Sequence, residues 1–248
     1  MPPDMSLVSG FVLVAVAFLG SAITAGLGIG GGLTVIVTLA SLAPAAAVIP
    51  IHGVVQLGSN VGRAAVQRAH IDWPIVAYFI LGSLAGAVVG GNLVVQLPEN
   101  VLKVVLALFI IYAIWGPMRF GMSRIGPLML AVAGAISTFV TMFIGATGPF
   151  VISVLAPSLP DRRRLIGTHS GCMVMQHSLK ILVFGLLGFS FGPWIPLLAA
   201  MIGAGFLGTL LGSKLLHWAP EALFRKALKT ILTVLAANLL LSAAGVYA

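Results

Sequence analysis

Uninterrupted apolar runs recur along the whole chain, and at about 20 residues each they have the length of one transmembrane helix. Of the 248 residues, 60% are hydrophobic and 7% are charged, whereas soluble domains average about 25% charged residues. Only lipid can cover so much apolar surface, which excludes a water-soluble enzyme. A membrane β-barrel would instead show strands of about 10 residues with alternating polarity. The sequence therefore predicts an all-α, polytopic membrane protein.

Basic residues outnumber acidic ones: 13 Lys and Arg residues against five acids give a formal net charge of +8. In membrane proteins these residues collect in cytoplasmic loops, so the excess indicates topology. Nucleic-acid binding would need a basic face on a soluble domain, and we expect none. The single cysteine, Cys172, excludes a disulfide framework or a cysteine-based metal site, and we expect no metal and no cofactor. No Lys or Arg precedes the first apolar run, so we expect that run to remain as a helix and not to be a signal peptide.

Matching residues at fixed offsets divide the chain into two halves. A Gly-x-x-x-Gly motif followed by Pro, an acid and a base occurs at 86–103 and again at 208–225, 122 residues later. Two earlier pairs, His52 with His169 and Arg63 with Lys180, are 117 residues apart, as are the glycine clusters at 28–32 and 145–149. We interpret the chain as a duplicated unit. Repeat 1 is predicted at 1–118, a cytoplasmic linker at 119–124 and repeat 2 at 125–248.

Each half is predicted to contain five helical segments, one of them too short to cross a hydrocarbon layer of about 30 Å. The segments are 6–27, 29–42, 46–64, 73–96 and 101–118 in repeat 1, and 125–145, 147–158, 166–188, 193–216 and 222–246 in repeat 2. The short segments, 29–42 and 147–158, follow the glycine clusters, so we interpret them as half-helices after an unwound stretch. Such backbone is tolerated at membrane depth only where protein buries it or it lines a cavity.

The distribution of Lys and Arg favours an inverted relation between the two halves. With five crossings per half, one side of the membrane receives Arg63, Arg68, Arg119, Arg124, Arg162, Arg163, Arg164, Lys214, Arg225, Lys226 and Lys229. The other side receives little beyond Lys103, whereas four crossings per half scatter the charges over both sides. The basic side is then cytoplasmic, and both termini lie outside. The short segments could also be re-entrant, and that choice stays open.

One helix in each half carries a stripe of polar residues on an otherwise apolar surface. At 100° per residue, four side chains of 46–64 share a face, and three of 166–188 do so with a further histidine at the edge. They are His52, Gln56, Ser59 and Arg63 in repeat 1, and His169, Gln176, Lys180 and the edge residue His177 in repeat 2. Lipid cannot satisfy such groups, so both stripes are expected to line one shared cavity. No acid lies in these segments, which makes an anion the simplest partner.

We expect a small anion to bind between the two broken helices, whose free N–H groups and positive dipole ends attract negative charge. The predicted substrate-binding residues are Gly30, Gly31, Gly32, Thr34, His52, Gln56, Arg63, Thr147, Gly148, His169, Gln176 and Lys180. Three histidines could carry a coupled proton, because histidine titrates near neutral pH: His52, His169 and His177. As alternatives, a lone histidine can be a structural hydrogen-bonder and Arg63 a topological anchor.

Several of these motifs together resemble the TauE/SafE sulfite-exporter family. They are Gly28-x-Gly-Gly-Gly32, the cluster at 145–149, the basic loop that leads into His70-Ile71-Asp72-Trp73, and the Gly-x-x-x-Gly helices. The likeness covers nearly the whole chain. It implies a permease, not an enzyme, in the bacterial inner membrane, which moves a small anion of sulfur metabolism such as sulfite or an organosulfonate.

Other functions fit parts of the same pattern. An anion channel without alternating access would use the same cationic path. A haem-binding membrane protein would use His52 together with His169 or His177 as axial ligands. The Gly-x-x-x-Gly faces could serve a homodimer or internal packing equally well. The exact substrate, the direction of transport and its energy coupling stay open.

Overall fold

A computed structural model describes residues 5–27, 30–94, 98–116, 126–215 and 221–245. These residues form ten α-helices and two short 3-10 turns, with no β-strand among them. The helices are α1 (Leu7–Leu27), α2 (Gly31–Leu42), α3 (Ala45–Val66), α4 (Trp73–Val94), α5 (Glu99–Trp115), α6 (Pro127–Ile144), α7 (Gly148–Leu155), α8 (Arg162–Leu186), α9 (Ile195–Leu215) and α10 (Glu221–Ala243). Their order and bounds agree with the ten predicted segments to within four residues. The predicted linker at 119–124 lies outside the described residues.

Four stretches of the described chain are long and apolar enough to cross a membrane. They are Leu7–Gly26, Trp73–Val94, Pro127–Ile144 and Gly192–Gly212. By contrast, α2 has 12 residues and α7 has eight, which at 1.5 Å per residue gives lengths of about 18 Å and 12 Å. Both are shorter than the hydrocarbon layer of about 30 Å. The predicted all-α, polytopic membrane fold is confirmed, and it contains two short helices at the predicted positions.

The helices of the first half pack mainly against helices of the second half. In the largest contacts α4 packs on α6, α1 on α9, α3 on α8 and α5 on α10. Two of these contacts correspond in detail: a Cβ on Gly86 would overlap the carbonyl of Ala135, and a Cβ on Gly208 would overlap the carbonyl of Phe18. Only glycine permits two backbones to approach so closely. The two Gly-x-x-x-Gly motifs therefore serve packing within the chain.

A glycine with positive φ marks each break that precedes a short helix. Gly30, the N-cap of α2, has φ of 105°, and Gly145, which ends α6, has φ of 80°. Side chains other than glycine are strained in this region of backbone conformation. The breaks turn the chain so that α2 and α7 start close to the centre of the α3–α8 pair.

Two apolar clusters enclose this centre. The larger one joins α1, α2, α3 and α9 around Leu13, Ile36, Ile51 and Met201. The smaller one joins α4, α7 and α8 around Phe79, Leu155 and Met173. Polar side chains of α3 and α8, among them His52, Gln56, Gln176 and Lys180, are buried inside the helix bundle.

Candidate functional site

A cavity lies where the first residues of α2 and α7 meet the polar faces of α3 and α8. Nine of the predicted site residues line it: Gly30, Gly32, His52, Gln56, Arg63, Thr147, Gly148, His169 and His177. The cavity volume is about 40 Å³, which gives room for roughly three water molecules or one small oxyanion. Both halves of the chain thus contribute residues to one cavity.

Arg63 is the cation on the cavity wall, and it has no acidic partner among the described residues. Its side chain is buried, with 5% of its surface exposed. The guanidinium donates to Ser59 Oγ at 3.1 Å and to Asn60 Oδ1 at 2.8 Å, both on α3 itself. These neutral acceptors position the charge without cancelling it. Because an isolated buried ion costs several kcal/mol, the arrangement favours an anionic ligand.

Two histidine nitrogens at the cavity have no hydrogen-bond partner in the described structure. They are Nε2 of His169 and Nδ1 of His177, on side chains that are 5% and 3% exposed. The Nε2 atom lies beside Gly148, the first residue of α7. Buried polar atoms are nearly always paired in folded proteins. Unpaired nitrogens at a cavity wall therefore indicate a place for water or a polar ligand.

His52 lies between the two halves and uses both ring nitrogens. Its Nε2 is 3.0 Å from the carbonyl oxygen of Gly32, which can only accept, so Nε2 carries the proton. Its Nδ1 faces the Lys180 amine at 3.4 Å. The edge of the His52 ring also packs against His177, with ring centroids 5.9 Å apart. These contacts fix the His52 side chain, which belongs to α3, in one orientation beside the first turn of α2.

Lys180 is fully buried, but it does not line the cavity. Its amine donates to the carbonyl oxygen of Gly145 at 3.0 Å and lies 3.4 Å from Nδ1 of His52, a residue of the cavity wall. Gln176 is also set back: it donates to Thr147 Oγ1 at 2.7 Å and accepts from Ser137 at 2.7 Å. The two side chains contact residues of the cavity wall and do not form the wall themselves.

Two predicted residues of α2 also lie outside the wall. The Gly31 amide donates to Thr24 Oγ1 at 3.1 Å, so this N–H group is already occupied. The Thr34 hydroxyl donates to the carbonyl oxygen of Gly30 at 3.0 Å, within its own helix. The first-turn N–H group of Gly32 has no acceptor within the helix, as is general at helix N-termini.

Six residues that the sequence analysis did not select also line the cavity: Thr24, Leu33, Asn60, Ala146, Pro149 and Met173. Two of them carried a usable signal. Asn60 is four residues after Gln56, on the face of the predicted polar stripe. Met173 is 117 residues after Gln56, so the repeat offset itself marks the position. Met173 gives the second half of the wall an apolar side chain where the first half has an amide.

The site does not suit a haem group. The cavity holds about three water molecules, far less than a porphyrin needs. His52 Nε2 is also hydrogen-bonded to the carbonyl oxygen of Gly32, so this atom is not available for axial ligation. No group of three or more metal-ligating side chains is found in the part of the chain that the structure describes.

Comparison with known proteins identifies the family of the chain. The family model for "Sulfite exporter TauE/SafE" matches residues 13–239. A curated relative from Comamonas testosteroni, described as "Probable inner membrane transporter protein TsaS", is 26% identical over 171 residues, which is 65% of this chain and 70% of the relative. No solved structure matches the chain. The protein therefore belongs to the TauE/SafE sulfite exporter family of membrane transporters.

Proposed function

We propose that this protein is a secondary transporter of the inner membrane that moves a small sulfur oxyanion through the cavity at Arg63. The observation that carries the proposal is this buried guanidinium, which is hydrogen-bonded only to neutral acceptors. The family of the chain supports the transporter class, and the small cavity supports sulfite over larger organosulfonates. The absence of described acidic side chains on the wall supports an anion over a cation.

In the proposed complex, several donors converge on one oxyanion. Arg63 supplies the charge, and the free nitrogens of His169 and His177 lie on the same wall. The N-terminal ends of α2 and α7, at Gly32 and Gly148, add backbone N–H groups and positive dipole ends. An oxyanion with several acceptor atoms can use these donors together, which favours it over chloride.

We also infer that the two halves form an inverted repeat and that the cavity is exposed alternately to the two sides. The corresponding contacts at Gly86 and Gly208 support the duplication. The collection of Lys and Arg on one side supports inversion, with both termini in the periplasm and the linker in the cytoplasm. Binding between discontinuous helices at the repeat interface is the usual arrangement in such transporters. Rocking of α2 and α7 against the rest would open either side.

The membrane potential is sufficient to drive export of the anion. A potential of about 100 mV, negative inside, contributes about 2.3 kcal/mol per charge, so a dianion could be exported against a gradient of roughly 10³-fold. Uptake would instead require a coupled cation such as a proton. His169 and His177 have a free nitrogen for that purpose, whereas both nitrogens of His52 are engaged.

The proposal is tested with currents from proteoliposomes on a solid-supported membrane. Sulfite, thiosulfate, sulfoacetate, acetate and chloride are applied as concentration jumps, and lipid-only vesicles provide the control. We expect a saturable current for sulfite and thiosulfate and a weaker one for sulfoacetate. Equal currents for all five anions would favour a non-selective channel. Absence of both current and radiolabelled sulfite uptake would contradict the proposal.

A further inference from the structure

A continuous chain of hydrogen bonds connects the two helix breaks through two buried side chains. It runs from the carbonyl oxygen of Gly32 to His52 Nε2, and from His52 Nδ1 to the Lys180 amine. The amine then donates to the carbonyl oxygen of Gly145, which also accepts from Thr141 Oγ1 at 2.9 Å. One end lies at the start of α2, and the other lies just before α7. The bridge therefore joins the two elements that would receive the substrate.

Lys180 and Arg63 occupy equivalent positions of the two repeats but have different surroundings. Arg63 lines the cavity, whereas Lys180 has none of its surface exposed, is not part of the cavity wall and contacts the wall residue His52. Lys180 donates to groups of both halves: Gly145 belongs to the second and His52 to the first. An ammonium that served only as a distant charge would not need such fixed partners.

We propose that Lys180 is a positioning residue that sets the spacing between the starts of α2 and α7, and thereby the size of anion the site accepts. The inference rests on the proposed function, because it assumes that both helix starts contact the same substrate. Through His52, Lys180 holds Gly32, and through Gly145 it holds the chain three residues before Gly148. Loss of the bridge lets the two helix starts separate, which weakens binding of a small anion and reduces selection against a larger one.

Gly53 offers a way to disturb the bridge without removing the charge. A Cβ at this position of α3 would come within 2.9 Å of Lys180 Cε, closer than carbon atoms normally approach. The lysine stem is flexible near its end, so it would yield by a few tenths of an ångström and not unfold the helix pair. Its contacts at 3.0 Å and 3.4 Å leave little room for such a shift. Gly53 itself does not line the cavity.

The experiment compares Lys180→Met, Gly53→Ala and the control Gly62→Ala in the proteoliposome assay. Gly62 lies on the same helix, and its added methyl would meet only Phe206, at 3.3 Å. For each variant the KM for sulfite and for sulfoacetate is measured, and size-exclusion chromatography verifies folding. We expect the sulfite KM to rise roughly tenfold or more in Lys180→Met. The reason is that the charge-assisted hydrogen bond from Lys180 to Gly145, which belongs to the bridge, is lost. In Gly53→Ala we expect a rise of about threefold or more.

The decisive quantity is the ratio of the sulfoacetate KM to the sulfite KM. Positioning predicts that this ratio falls in both Lys180→Met and Gly53→Ala and stays at the wild-type value in Gly62→Ala. If Gly53→Ala behaves like wild type while Lys180→Met loses sulfite binding, Lys180 acts through its charge and the inference is overturned. An unchanged ratio in Lys180→Met overturns it as well. If wild type carries no anion at all, the proposed function fails instead, so the two failures are distinguishable.

Discussion

Arg63 and Arg164 show two ways in which this protein accommodates a guanidinium. At the N-terminal end of α8, Arg164 is 54% exposed and forms an ion pair with Asp72 at 2.8 Å. In the cavity, Arg63 is 5% exposed and has neutral partners from its own helix. The exposed charge has an acid of the chain beside it, although water could solvate it. The buried charge of Arg63 has lost its solvation by water, and no acidic side chain among the described residues lies beside it.

The difference indicates which region is built for a ligand. Asp72 is paired within the chain: its backbone N–H donates to Thr168 Oγ1 at 2.9 Å, and its side chain accepts from Arg164. The cavity is incomplete, because Arg63 has no acidic partner there among the described residues and two histidine nitrogens have no hydrogen-bond partner. An incoming anion would stabilise Arg63 more than any exposed residue, since its desolvation has already occurred.

The largest effect is expected when the charge of Arg63 is removed. In Arg63→Gln, the amide retains polar contacts but loses the charge, so the apparent affinity for sulfite should fall at least about 30-fold. The measurement is the sulfite concentration dependence of the proteoliposome current. Arg68→Gln, at an exposed position five residues later, removes the same charge and should leave the KM within twofold. An equal sulfite KM in Arg63→Gln and Arg68→Gln would contradict the claim that the buried guanidinium is the one that binds substrate.

A smaller effect is expected when the free nitrogen of His169 is removed. His169→Phe should raise the sulfite KM roughly tenfold, because a hydrogen bond to a charged ligand is lost. His169→Gln retains a donor near Gly148 and should raise the KM less. Both variants are compared under a pH gradient as well as without one. If the pH gradient still drives part of the sulfite current in His169→Phe, His169 is excluded as the proton carrier.

Gln176→Leu should affect stability more than binding. The amide donates to Thr147 and accepts from Ser137 within the buried polar cluster, so its loss removes one hydrogen bond from each hydroxyl and leaves the 2.9 Å contact between the two. We expect a decrease of about 1–3 kcal/mol in the free energy of unfolding, measured as a lower thermal midpoint in detergent. The exposed neighbour Ser178 provides the control as Ser178→Ala. A wild-type midpoint in Gln176→Leu would contradict the predicted role of this network.

The smallest effect is expected at the exposed ion pair. Arg164→Gln breaks the contact with Asp72, yet exposed pairs contribute only about 0–1 kcal/mol to stability. The sulfite KM should stay within twofold of the wild-type value, measured in the same current assay. A tenfold change would show that the outer ion pair takes part in substrate binding, and the contrast with Arg63 would be lost.

The sequence predicts the helices and the polar faces well because both depend on local periodicity. Apolar runs of membrane length define the segments, and the 3.6-residue period brings His52, Gln56 and Arg63 to one face. The 117-residue offset adds His169 without any knowledge of the packing. These features identify most of the cavity wall, because a polar stripe in a membrane helix must face protein or water.

What the sequence does not predict is how deep each side chain lies and which groups it contacts. Lys180 and Arg63 are 117 residues apart, the offset that also separates His52 from His169, yet their contacts differ. The lysine passes Gly53 to bind Gly145, while the arginine contacts Ser59 and Asn60. A helical wheel gives a direction but not the reach of a long side chain. Such contacts depend on tertiary packing.

Calorimetric titration of sulfite into the purified protein in detergent tests the central claim most directly, because it measures binding without transport. Wild type and Arg63→Gln are titrated at the same protein concentration, with chloride as the comparison anion. The titrations are done under nitrogen because air oxidises sulfite. The account predicts saturable binding of one sulfite per chain to wild type, sulfite binding at least about 30-fold weaker in Arg63→Gln, and no saturable binding of chloride to either. Equal sulfite binding by the two proteins would contradict the assignment of Arg63 as the cation of the substrate site.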